Sequence, residues 1–203
     1  MGNAWFDDDK KVRETLLKSE EVFRGRFLRI ARDTVRCADG SVHTREFVRH
    51  PGACVMVALD EQRQTVIEWQ WREPCGKAFV EFPAGKKDPH EDPFDCARRE
   101  LIEEAGLAAG RLVHLGTMRN AIGYSDEAIE VFVATRLSSR ARHLDGGECL
   151  EVKKAPFEQV YAACLAGEIE DVKTLVAAFW TKAWLEGSRQ GEERTFPAAG
   201  EAA

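Results

Sequence analysis

Glu100, Glu103 and Glu104 stand within five residues of one another, with Arg99 beside them and Glu91 eight positions before that arginine. On a helix turning roughly 100° per residue, Glu104 falls roughly 40° to one side of Glu100 and Glu103 roughly 60° to the other. Three carboxylates then share one narrow stripe. Phe94, Ala97, Leu101 and Ala105 fill the adjoining stripe, an apolar face that would dock the helix on a sheet. Like charges three or four residues apart destabilise a lone helix by a few tenths of a kcal/mol. A hard divalent cation with oxygen ligands is the natural offset. Arg99 would lock one carboxylate, and Glu91 would add an acid from the preceding loop. Taken alone, the string reads equally as a solvated, Glu-rich helix face laced with arginine.

The elements needed to hold that stripe are legible. Asp92 is a good N-cap, Pro93 suits the first helical position, Asp95 complements the dipole, and Gly106 ends the helix. Ahead of it, 22–36 alternates as one strand, and 38–41 turns into a strand over 42–49. Strands are expected at 53–59, 65–72 and 78–82, with a loop at 73–77. After the helix come strands at 112–119 and 128–137 and helices at 156–166 and 171–186. Strands flank helices without regular βαβ alternation, so the class is α+β.

Charged residues make up 32% and hydrophobic ones 44%, which fits an ordered globular chain rather than a disordered one. At 203 residues and a formal charge of −6, no general attraction to nucleic acid or anionic membranes is expected. An acidic protein acting on an anion needs local positive charge, from a metal or clustered Arg. Six cysteines stand in no Cys-x-x-Cys or Cys/His pattern, so no zinc site and a cytoplasmic location are expected. The N-terminal stretch carries no apolar core of a signal peptide, and no run reaches the ~20 apolar residues of a membrane span.

Gly85, Glu91, Arg99, Glu100, Leu101, Glu103, Glu104, Gly106 and Leu107 fill all nine specified positions of G-x5-E-x7-R-E-U-x-E-E-x-G-U, with U apolar. The chain therefore resembles the Nudix hydrolases. That resemblance implies a mixed β-sheet sandwich between helices, and hydrolysis of a pyrophosphate bond through Mg²⁺, with Mn²⁺ a possible substitute. It implies metal ligands at Glu100, Glu104, Glu103 and the Ala84 carbonyl. Arg99 and Glu91 are implied to orient them. No Ser, Cys or His nucleophile is required; His90 lies at an unspecified loop position.

The flanks, from about residue 19 to 184, resemble the ADP-ribose pyrophosphatase branch: Glu81-Phe-Pro-Ala-Gly85, His50-Pro-Gly-Ala53, Gln70-Trp71-Arg72 and Gly123-Tyr-Ser-Asp-Glu127. Ile122 stands where that branch carries a marker proline. The resemblance implies that Arg72 contacts the substrate diphosphate and that Glu81 holds the adenine or supports a neighbour. It implies that Glu148, in a Gly-rich loop, activates water or ligates metal. An N-terminal β-hairpin subdomain, 1–50, is implied to dimerise, with Phe23 and Phe27 stacking on the base and Arg45 meeting a phosphate. The catalytic domain is expected over 51–186 and a flexible tail over 187–203. The implied reaction is ADP-ribose to AMP and ribose 5-phosphate in a homodimer. Alternatives are another nucleoside diphosphate sugar such as GDP-mannose, a dinucleotide or an oxidised nucleotide. A non-catalytic ADP-ribose sensor is disfavoured by the intact motif.

Overall fold

The computed structural model describes residues 10–144, 146 and 149–197. The chain divides into two compact units. The first holds the residues up to His50 with Ala121–Glu127. Its antiparallel sheet runs β1 (Thr15–Arg24), β2 (Arg29–Arg36), β3 (Val42–Arg49). The single strand expected at 22–36 is thus two arms of a hairpin, closed where the Gly25 N–H donates to the Leu28 carbonyl at 2.8 Å. Alternation continues through both arms of a hairpin, so periodicity alone passes over the turn. The segment 121–127, expected in the catalytic domain, joins this unit through the Val48 N–H donating to Tyr124 O at 2.8 Å and His50 N–H to the Asp126 carboxylate at 2.8 Å.

The second unit carries two sheets. One is ordered β11 (Glu192–Thr195), β8 (Leu107–Met118), β9 (Ile129–Ser139), β4 (Ala53–Ala58), β7 (Ala84–Lys86). The other runs β10 (Leu150–Pro156), β5 (Gln64–Arg72), β6 (Lys77–Glu81). Among the described strands of this unit, β4 and β9 pair in parallel and the others antiparallel. β4 is buried at every position, and its alternation splits it between two cores. Ala53, Val55 and Val57 pack with Phe157 and Val160 of α2 (Phe157–Ala166) and Ala177 and Ala178 of α3 (Val172–Leu185). Cys54, Met56 and Ala58 pack on the opposite face with Phe94, Ala97 and Leu101 of α1 (Pro93–Ala105). The unit is therefore a mixed sheet between helices.

Three short strands exceed what sequence pattern indicates. β7 forms inside the expected loop, pairing Ala84 with Val55 and Gly85 with Cys54. β10 precedes the helix at 157 and pairs with β5. Within the expected loose tail, β11 pairs with β8, where Arg111 donates to Glu193 at 2.6 Å and Arg194 to Asp92 at 3.0 Å. None of these segments carries enough apolar alternation to announce a strand; each takes its ladder from a neighbour distant in sequence.

Candidate metal and diphosphate site

α1 begins as its sequence requires. The Asp92 carboxylate accepts the Phe94 N–H at 2.8 Å, Pro93 follows, and Gly106 ends the helix at φ 65°. Phe94, Ala97 and Leu101 face the core, which turns Glu100, Glu103 and Glu104 towards β7. Gly85 is where the two elements meet most closely. A Cβ there would lie 1.8 Å from the Glu100 Cδ and 2.1 Å from both its oxygens, so only glycine lets the carboxylate rest on the strand. Glu104 is 4% exposed and accepts the Ala84 N–H at 2.8 Å.

Arg99 ties the cluster together. Its Nε and Nη2 donate to the two oxygens of Glu91 at 2.9 and 2.8 Å, a bidentate pair. Nη1 donates to Glu100 at 2.8 Å and Glu103 at 2.9 Å, and Nη2 also reaches the Lys86 carbonyl at 3.0 Å. The Arg99 hydrogen bonds hold the Glu91 carboxyl down to about 2, against an opposing push from burial, and the Asp88 N–H assists. The Arg99 guanidinium is correspondingly pushed above its usual range, first by Glu91 and then by Glu100. His90 is an exposed loop residue at φ 66°.

Among the described residues, no three acidic, His or Cys side chains already converge as a ready-made metal cluster. Arg99 lies between Glu100 and Glu103 and takes an oxygen from each. The donors nonetheless fit a hard divalent cation. All are oxygens, Glu100 lies directly on the β7 backbone, and Glu104 is buried beside it with its carboxylate on the Ala84 N–H.

A second cluster links the end of β5 to the end of β6. Arg72 Nε and Nη2 donate to the two oxygens of Glu81 at 2.7 and 2.5 Å, and Lys173 Nζ donates to the same carboxylate. Burial alone would raise the Glu81 carboxyl, but the Arg72 and Lys173 contacts together hold it below the usual range. Arg72 is raised by Glu81 foremost, and it also feels the charge of Glu104, which connects the two clusters electrostatically. Glu81 is thus ion-paired with two cations in this structure.

The first turn of α3 clamps this arrangement. Asp171 accepts from the Thr174 N–H at 3.0 Å, from Thr174 Oγ1 at 2.6 Å and from Lys173 at 3.0 Å. The Phe82 N–H in turn donates to Thr174 Oγ1 at 3.0 Å. One helix end thereby fixes Glu81 by charge and Phe82 by a backbone hydrogen bond, two residues before Ala84. Lys173, Asp171 and Thr174 escaped the sequence reading. The Asp-x-x-Thr cap was legible as a helix start, but nothing local shows that Lys173 reaches Glu81. Glu68, 2% exposed, is the cross-strand partner of Glu81 and was likewise not singled out.

Three further expected residues belong to the first unit. Arg45, in the first unit, is ion-paired with Glu14 and donates to the Thr44 carbonyl at 3.0 Å. In the same unit Phe27 meets the His50 ring edge-on at 5.5 Å, and Phe23 is exposed. Glu148 lies outside the described residues.

Residues 48–176 match the NUDIX domain family, and residues 14–48 match the nucleoside diphosphate sugar hydrolase N-terminal domain. The chain belongs to the Nudix hydrolases, a family generally dependent on a divalent metal. It is 32% identical to the ADP-ribose pyrophosphatase of Bacillus subtilis (strain 168) over 83% of this chain and 92% of that protein. It is 34% identical to a methanol dehydrogenase activator of Bacillus methanolicus, again over 83% and 92%. Identity to a GDP-mannose pyrophosphatase of Enterobacter sp. (strain 638) is 31% over 66% of this chain and 75% of that one. A crystal structure of an ADP compounds hydrolase superposes with a TM-score of 0.75 at 22% identity, covering 86% of this chain and 95% of that one, a likeness of fold.

Proposed function

We propose that the protein hydrolyses the diphosphate bond of ADP-ribose to AMP and ribose 5-phosphate. The supporting observation is the pairing of an acid-rich cluster, Glu91, Glu100, Glu103 and Glu104 around Arg99, with a cation-rich one, Arg72 and Lys173 around Glu81. Glu100, Glu103, Glu104 and the Ala84 carbonyl would hold Mg²⁺, or Mn²⁺ in its place. When bound, the metal neutralises non-bridging oxygens and lowers the pKa of a water. Arg72 contacts the diphosphate while Glu81 and Lys173 hold its guanidinium in place. Arg99 keeps Glu100 and Glu103 oriented, and Glu148 is the proposed water-activating group.

The first unit is the proposed dimer contact. β1 is exposed along nearly its whole length and carries exposed Leu16, Val22 and Phe23, apolar surface of the kind a second copy covers. In that homodimer Phe23, Phe27 and Arg45 would serve the nucleotide held by the other copy. All six cysteines are free, which supports a cytoplasmic protein. Among the described residues no helix is long and apolar enough to cross a membrane.

Incubation with ADP-ribose and Mg²⁺, with and without EDTA, tests the reading. AMP release that EDTA abolishes is expected; no AMP at high enzyme concentration sinks it. Ile122, 81% exposed at the position of the marker proline, favours a second reading in which the substrate is another nucleoside diphosphate sugar, such as GDP-mannose. Ranking both compounds by kcat/KM decides.

A further inference from the structure

A groove of about 650 Å³ opens on the face of α1 turned away from the carboxylates. At roughly 100° per residue, Arg98 and Ile102 sit roughly 160° around the helix from Glu100, one on either side of the opposite face. They form one wall; Ala109 of β8, Arg136 at the end of β9, Arg140 and Phe196 complete it. Three guanidinium groups line the groove against a single carboxylate, Glu61.

The chain as a whole is acidic. Its charge is −6, and many of its arginines are committed to acids: Arg32 to Glu46, Arg111 to Glu193, Arg194 to Asp92. Among the described residues Arg136 and Arg140 have no ion pair within 4 Å. Arg140 donates to the Ser139 carbonyl at 3.1 Å, and Arg136 is felt only at a distance by Glu193. Arg98 meets Asp95 loosely at 3.8 Å and lies over the Phe196 ring at 4.2 Å.

The backbone also makes room for this arrangement. Arg136 adopts φ 55°, a left-handed conformation that is strained for a non-glycine residue. Gly110 on β8 leaves space for it: a Cβ there would come within 3.0 Å of the Arg136 Cβ and 3.1 Å of its carbonyl oxygen. Planar guanidinium groups match the paired oxygens of a phosphate, whereas Ile102, Ala109 and Phe196 supply an apolar floor with an aromatic edge. The volume is that of a small-ligand pocket.

We propose that this groove is a second ligand site, separate from the metal site, that binds a nucleoside monophosphate. The phosphate is held by Arg136 and Arg140, and the base lies against the Arg98–Phe196 pair. The site is read with metal removed, so its outcome is independent of substrate turnover. Calorimetric titration of the full chain with AMP in EDTA is compared between wild type, Arg136→Gln/Arg140→Gln and Arg72→Gln. Both groove side chains are exposed, so the double variant is expected to fold and keep its basal turnover. A loss of about tenfold or more in AMP affinity in the double variant, with Arg72→Gln unchanged, supports the site. No binding by the wild type, equal binding by the double variant, or loss confined to Arg72→Gln overturns it. Inorganic phosphate binding as tightly as AMP also overturns it, because the base would then contribute nothing.

Discussion

The two charge clusters of the second unit are built on opposite ratios. Around Arg99 one cation is shared by three carboxylates, Glu91, Glu100 and Glu103. Around Glu81 one carboxylate is shared by two cations, Arg72 and Lys173. A surplus of acid suits a divalent cation, and a surplus of base suits a diphosphate. The difference teaches how a protein of net charge −6 can act on an anion: it segregates the signs locally instead of changing its overall charge. Glu104, buried against Ala84 and felt by Arg72, stands at the junction.

Removing the junction should have the largest effect. Glu104→Gln is expected to lower kcat/KM by about 10³-fold, some 4 kcal/mol of transition-state stabilisation, with the circular dichroism spectrum unchanged. Unchanged turnover would refute the metal assignment. Gly85→Ala forces a methyl into the Glu100 carboxylate. We expect about a hundredfold loss in metal affinity and a destabilisation of about 1–3 kcal/mol, read from a Mg²⁺ titration and a urea melt.

On the cation-rich side, Lys173→Met leaves Glu81 to Arg72 alone and loosens the clamp. KM should rise about five- to tenfold while kcat changes less, and Lys173→Arg should restore most of it. A kcat loss with KM unchanged would place Lys173 outside diphosphate binding.

The smallest effect concerns acid stability. Glu91, with a folded pKa of about 2 against an ordinary 4.5, stabilises the fold fully above about pH 4.5. That contribution fades as pH falls towards 2, and after solvent screening it is worth about 1 kcal/mol. Glu91→Gln should therefore lower stability at pH 6 and narrow its gap from wild type at pH 2.5. A gap that does not shrink with acid would mean the Arg99–Glu91 pair contributes nothing through ionisation.

Legibility in the sequence followed the range of the interactions. Asp92, Pro93 and Gly106 set the ends of α1, and the i, i+3, i+7 placement of Phe94, Ala97 and Leu101 set its buried face. Those are properties of neighbours on one helix, so the carboxylate stripe followed directly. That Arg99 would hold a carboxylate was legible for the same reason, since Glu100 and Glu103 are its neighbours on the helix. The buried β4 was legible because six apolar residues in a row leave few alternatives.

What the sequence alone determined is therefore the carboxylate stripe of Glu100, Glu103 and Glu104 with its helix, and the family whose motif it fills. The tertiary structure decided what surrounds it. Lys173 reaches Glu81 across 92 positions, Thr174 fixes the Phe82 backbone, and β10 and β11 become strands only because β5 and β8 offer open edges. The groove behind α1 likewise joins Arg98, Arg136 and Phe196, which no spacing connects. Helix periodicity and capping act over a few residues and can be read in order; ion pairs and sheet ladders between distant segments exist only once the chain has folded.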